Sequence, residues 1–157
     1  MNWDDIFGAV AGLAGIGLVG YAAYKITENM DNWIDELIQV AQDDERWEEP
    51  LFALANMIPQ MDEETWALFA ERLTAKAEHN EDAAGLLGFS ACVVNSIQEI
   101  HQVLAYSIQD AAEIILSVLP QKEEIEQLAF IGTLCTYSEQ NMKAKAIWGR
   151  VMPALEG

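Results

Sequence analysis

Basic residues are scarce in this chain: 8 Lys and Arg stand against 26 Asp and Glu in 157 residues, a net charge of −18. A conventional DNA or RNA binder needs a basic face, and so few bases cannot build one, which argues against direct nucleic-acid binding. Cysteine is rarer still. Cys92 and Cys135 cannot form a disulfide framework, and they fall in no CxxC or Cys/His ligand spacing. Histidine occurs twice. His79 sits beside Glu78, Glu81 and Asp82 and reads as part of a solvated turn, while His101 lies between Ile97 and Leu104 and reads as a packed, hydrogen-bonded helix residue. No ExxH pair, EF-hand loop, phosphate-binding loop or nucleophile elbow is found. Both thiols read as inert core residues. An enzyme is not expected, and neither is a metal or a cofactor.

Runs alternating with period two are also missing, which argues against a β class. What is abundant is apolar side chain, 52% of the chain, more than a disordered acidic tail carries. The length suits one ordinary domain able to bury its own core.

The charge is concentrated. Residues 1–27 carry Asp4, Asp5 and Lys25, a net of −1; residues 28–82 carry 16 acids against 3 bases, a net of −13; residues 83–157 carry 8 acids against 4 bases, a net of −4. The densest run, Asp43, Asp44, Glu45, Arg46, Trp47, Glu48, Glu49, Pro50, reads as a connection between helices, because Pro50 disfavours helix at the residue before it. Solvated acidic surface is the plain reading of such a run. A docking surface is the functional one: Asp43, Asp44, Glu45, Glu48 and Glu49 would draw in a protein partner with a basic surface, and Trp47 or Trp33 would anchor it.

From Ile6 to Tyr24 there are 19 residues without a charge. As a helix they would run about 28 Å, close to the hydrocarbon thickness of a bilayer. Trp3 at one end and Tyr21, Tyr24 and Lys25 at the other match interfacial anchors, and Asp4 and Asp5 argue against a signal peptide. Residues 6–24 therefore read as a membrane anchor with the C-terminal body in the cytoplasm. The alternative is a helix packed in a soluble cytoplasmic fold, or in a homo-oligomer through Gly8, Gly12, Gly15 and Gly20, small residues that permit close helix contact. Gly15 to Gly20 also matches GxGxxG, without the strands that a dinucleotide fold requires.

The remainder, residues 28–157, reads as an acidic all-α domain, a small antiparallel body of helical hairpins. One stripe is Met30, Trp33, Ile34, Leu37, Ile38 and Ala41. A short helix through Leu51–Ile58 ends at Pro59, and Asp62 reads as an N-cap with Glu63 and Glu64 in the first turn. The apolar run Ala83–Val94 should be the most buried helix. A stripe from Ile97 through Ile100, Leu104, Ile108 and Ile115 to Leu119 reads as continuous until Pro120 stops it, and a final helix pair follows.

A shift of 61 positions aligns Pro59–Gly88 with Pro120–Gly149 without a gap, with nine of 30 positions identical. Stacked helical repeats leave this kind of self-similarity. The second copy, Leu128–Val151 with Gly132, Ala144 and Trp148, resembles a tetratricopeptide hairpin in placing small residues where helices cross and an aromatic where they fill. The first copy has Glu71 and Leu87 at the corresponding positions, and the period is not that of the family.

The expected function is a non-enzymatic interaction module, adaptor or assembly subunit. The alternative is a soluble acidic inhibitor imitating nucleic-acid charge to block a DNA- or RNA-processing enzyme. Fractionation separates them. The full chain should pellet with membranes and need detergent for release, and a chain starting near Thr27 should not; a full chain that is monomeric without detergent removes the anchor.

Overall fold

Helix starts follow the side chains that can satisfy unpaired backbone N–H groups. A computed structural model describes residues 29–156, all of them helix, turn or connection, with no strand among the described residues. The helices are α1 Met30–Ala41, α2 Glu48–Met57, α3 Glu63–Ala77, α4 Glu81–Val103, α5 Ile108–Val118, α6 Glu124–Gln140 and α7 Met142–Glu156. Short 3₁₀ turns at Ile58–Gln60 and Leu119–Gln121 precede α3 and α6. Residues 6–24, with the membrane and oligomer readings placed on Gly8, Gly12, Gly15 and Gly20, lie outside the described residues.

Asp62 caps α3 as its position predicts: its carboxylate accepts from the Thr65 N–H at 2.7 Å, and hydrogen bonding from the Thr65 side chain, then from its N–H, holds the Asp62 pKa below the usual carboxylate value. Asn80 caps α4 by accepting from Asp82 and Ala83, and Ser107 caps α5 by accepting from Asp110.

The internal repeat is visible in the elements themselves. Shifting by 61 carries the turn 58–60 onto 119–121, the start of α3 onto that of α6, and the start of α4 onto that of α7. The local bonds repeat too. The Gln60 side chain donates to the Asn56 carbonyl at 2.9 Å and Gln121 to the Ser117 carbonyl at 3.1 Å, and the Asn80 and Asn141 side chains accept from Ala83 and Ala144 at 3.1 Å each. Phe69 and Phe130, Leu73 and Leu134, Ala83 and Ala144, and Leu86 and Ile147 are buried in both copies. Each unit is three helices, α2–α3–α4 and α5–α6–α7, rather than the two-helix hairpin of the tetratricopeptide resemblance.

Within each unit the first and second helices pack on the third, α2 and α3 on α4, then α5 and α6 on α7. The units join because α6 also lies on α2 and α4. At that crossing Gly132 approaches so closely that a Cβ there would stand 2.8 Å from the Ala55 Cβ, with Phe52 next nearest. The Thr136 hydroxyl bonds to the Ala55 carbonyl at 3.2 Å and the Gly132 carbonyl at 3.0 Å, and Asn56 donates to it at 3.4 Å. No buried side-chain polar atom among the described residues lacks a partner.

Three expectations need correction. Helix α2 begins at Glu48, so Glu48, Glu49 and Pro50 are its first turn and not part of the connection; proline is tolerated there because the first N–H groups have no intrahelical partner. The stripe 97–119 is broken: Val103 ends α4, and Ser107 starts a new helix within it. The most buried helices are α2, closed from Pro50 through Ile58, and the middle of α6 from Leu128 through Leu134, whereas α4 leaves Ala84, Gly85, Gly88 and Ala91 exposed. Helix α4 is long and apolar enough to cross a membrane by length and composition, but α2, α3 and α6 pack on it, as on the core helix of a folded domain.

Gly132 and Gly88 should respond to alanine with opposite signs. Gly132→Ala overpacks the crossing and should destabilise by about 1–3 kcal/mol, while Gly88, with nothing within 4 Å of an added Cβ, should gain up to about 1 kcal/mol from the better helix former. Urea midpoints at unchanged slope measure both; shifts of the same sign would remove the assigned role of Gly132.

Candidate partner-docking surface

The connection between α1 and α2 is a compact run of turns. The Asp43 N–H donates to the Val40 carbonyl, the Asp43 carboxylate accepts from the Glu45 N–H at 2.9 Å, and the Arg46 and Glu49 N–H groups donate to the carbonyls three residues back. These bonds hold the backbone, and the side chains of Asp43, Asp44, Glu45, Arg46 and Trp47 are exposed. Glu48 and Glu49 follow, half-buried, in the first turn of α2, where carboxylates suit the helix N-terminus.

The nearby bases are committed elsewhere. Arg46 pairs with Glu49. Arg72 of α3 pairs with Asp31 of α1 at 2.6 Å, and Lys76 with Asp35 at 2.8 Å, a hydrogen bond that raises the Lys76 pKa above its ordinary value. These exposed pairs add little stability. Their consequence is electrostatic: Asp43, Asp44, Glu45 and Glu48 have no basic partner among the described residues.

The two proposed tryptophan anchors are placed differently. Trp47 is 45% exposed and stands among the carboxylates. Trp33 is turned inward, with its ring 5.4 Å from that of the buried Phe69, which Trp66 also meets at 6.0 Å. Trp33 therefore serves the core between α1 and α3. The structure keeps the acidic run and Trp47 together and separates Trp33 from them.

The other reactive groups are scattered. His79 is exposed in its turn. His101 is hydrogen-bonded as expected but exposed rather than packed: it bonds to the Tyr137 hydroxyl at 3.0 Å, an α4–α6 contact at the surface; burial raises the Tyr137 pKa. Both thiols are half-buried. Burial, helped by Glu126 and Glu123, raises Cys92, and burial pushes Cys135 up to about 11. No group of three or more His, Cys, Asp and Glu that could hold a metal ion is found among the described residues. A groove on α5, lined by Tyr106, Asp110, Glu113, Ile114, Ser117 and Val118, was also not anticipated. Its only sequence signal is the repeat, which places Glu113 and Ser117 where α2 has Phe52 and Asn56.

Fold and surface thus describe an all-α, internally repeated body with one acidic, tryptophan-bearing connection. No family model, curated protein or solved structure matches the chain.

The Cys135 thiol should be nearly unreactive in the folded protein. With its pKa near 11, native alkylation at pH 8 should run on the order of 100-fold slower than at an ordinary exposed thiol, and denaturant should restore the usual rate. Rapid native labelling, followed by peptide mass spectrometry, would contradict this placement. Because folding raises this pKa, the residue's contribution to stability is full below the unfolded value and is lost as pH rises through about 11.

Proposed function

We propose that the protein is a non-enzymatic interaction module whose acidic run Asp43 to Glu49, the α1–α2 connection and the start of α2, docks a partner with a basic surface, and that residues 6–24 tether it to a membrane with the body on the cytoplasmic side. The observation that carries the docking reading is the exposed Trp47 beside Asp43, Asp44, Glu45 and Glu48, which have no basic partner among the described residues. The tether rests on the uncharged run and its aromatic and lysine flanks.

The mechanism is binding alone. Unneutralised carboxylates on a chain of net charge −18 attract a basic surface over roughly a Debye length, about 8–10 Å at physiological salt. The rim charges then set encounter rate and register, and most of the binding energy falls to an aromatic that loses its water, here Trp47. The turn bonds around Asp43 and the fully buried body of α2 hold this surface in place before the partner arrives.

The test is affinity capture with the full chain over a salt series. A basic partner should be retained at low salt and released as salt rises. Reversing Asp43, Asp44, Glu48 and Glu49 to Lys should abolish its capture, and Trp47→Ala should weaken it about 10-fold or more at fixed salt. Capture indifferent to salt and to the reversal would sink the reading.

A further inference from the structure

We propose that the outer face of α5 is a second docking seat, which takes a basic amphipathic helix from a protein partner; this deepens the interaction-module reading and rests on it. The internal duplication supplies the template. In the first unit α2 packs on α4, and the pair holds α6 across it, with Gly132 against Ala55 and Phe52 and Thr136 bonded to the Ala55 carbonyl and Asn56. In the second unit α5 packs on α7 in the same way, yet among the described residues no helix packs on both.

Shifting the seat by 61 positions converts Phe52, Ala55 and Asn56 into Glu113, Leu116 and Ser117. The groove found on α5 includes two of these, Glu113 and Ser117, and has a volume of about 520 Å³. The difference in burial between the two helices is informative. Every residue of α2 from Pro50 to Met57 is closed off, whereas Ile114, Leu116 and Val118 of α5 are only half-buried and Tyr106, at the head of the groove, is 53% exposed. Positions 110, 113, 114, 117 and 118 follow one stripe of α5, with Tyr106 just before its N-cap, so the groove runs along α5 and suits another rod of similar length.

The charge of the seat selects its occupant. Asp110 and Glu113 flank Ile114 and Val118; Glu113 accepts from the Gln109 amide at 3.3 Å, and neither carboxylate meets a base among the described residues. A wholly apolar segment, such as residues 6–24, would bury both carboxylates without a partner, which is costly. A second copy's acidic body would bring like charge. A helix with an aliphatic stripe for Ile114, Val118 and Tyr106, and with Lys or Arg on its flanks for Asp110 and Glu113, satisfies both parts of the seat.

The probe is a fluorescein-labelled peptide of about three helical turns, with leucines on one face and lysines on the other, titrated with the full chain and read by anisotropy. Ile114→Asp with Val118→Asp adds two negative charges. Long-range attraction alone would tighten binding to this variant, whereas seating in the groove predicts a loss of about 10-fold or more. The surface pair Asp110→Lys with Glu113→Lys should also weaken binding and flatten its salt dependence, and circular dichroism checks that both variants fold. Reversing Asp43, Asp44, Glu48 and Glu49 should leave the peptide within about threefold. Tightened or unchanged binding to the aspartate variant overturns the seat, as does a wild-type chain that fails to bind the peptide. If binding is lost only on reversal of the α1–α2 run, the seat falls and the interaction-module reading stands. If the seat behaves as expected while capture by the α1–α2 run fails its own test, the assigned surface moves to α5.

Discussion

The close crossing of α6 over α2 is the contact on which the two halves of this protein depend. Gly132 has no Cβ, and that absence lets the α6 backbone come within reach of Ala55, so that the Thr136 hydroxyl can bond to a carbonyl on α2 as well as to its own helix. Asn56, buried with it, finds Thr136 on one side and Gln60 on the other. Everything downstream inherits this placement. With α6 seated on α2 and α4, its opposite side is available to α7, and α7 in turn carries α5. A larger residue at position 132 would push α6 away from α2 while leaving each unit's own stripe intact.

The same three-helix unit is therefore used twice with different neighbours. In the first unit α1 adds a further layer, fixed by Met30, Ile34, Leu37 and Ile38, all buried, and oriented by the Asp31–Arg72 and Asp35–Lys76 pairs. Burial of four large apolar side chains outweighs what two exposed ion pairs contribute. In the second unit, among the described residues, no helix covers α5 and α7 together, and the equivalent seat positions are Glu113 and Ser117 in place of Phe52 and Asn56.

Much of this was legible from residue chemistry. Asp62 as a cap, the Pro-Gln turns, the stripe of α1 and the 61-residue period all arise from local preferences that tertiary packing did not override. The misreadings share a cause as well. The apolar period runs on from α4 into α5 because both helices bury the same side, and only the Ser107 cap marks the break. Pro50 reads as a boundary through its effect on the preceding residue, yet proline is equally compatible with a first helical turn. The run 83–94 looked most buried because small apolar residues count as core in composition, yet Ala84, Gly85, Gly88 and Ala91 line the exposed side of α4.

By itself the sequence determined the helical class, the Asp62 cap, the repeat and the placement of thirteen of eighteen net negative charges in residues 28–82, since each is read from residue types along the chain. Tertiary structure decided what depends on residues far apart in the chain. It turned Trp33 onto Phe69 and left Trp47 in solvent, it matched Arg72 and Lys76 to acids 41 residues away, and it closed α2 on all sides while leaving α5 open. Two tryptophans in similar acidic surroundings differ only in what the fold brings against them, and no local pattern encodes that.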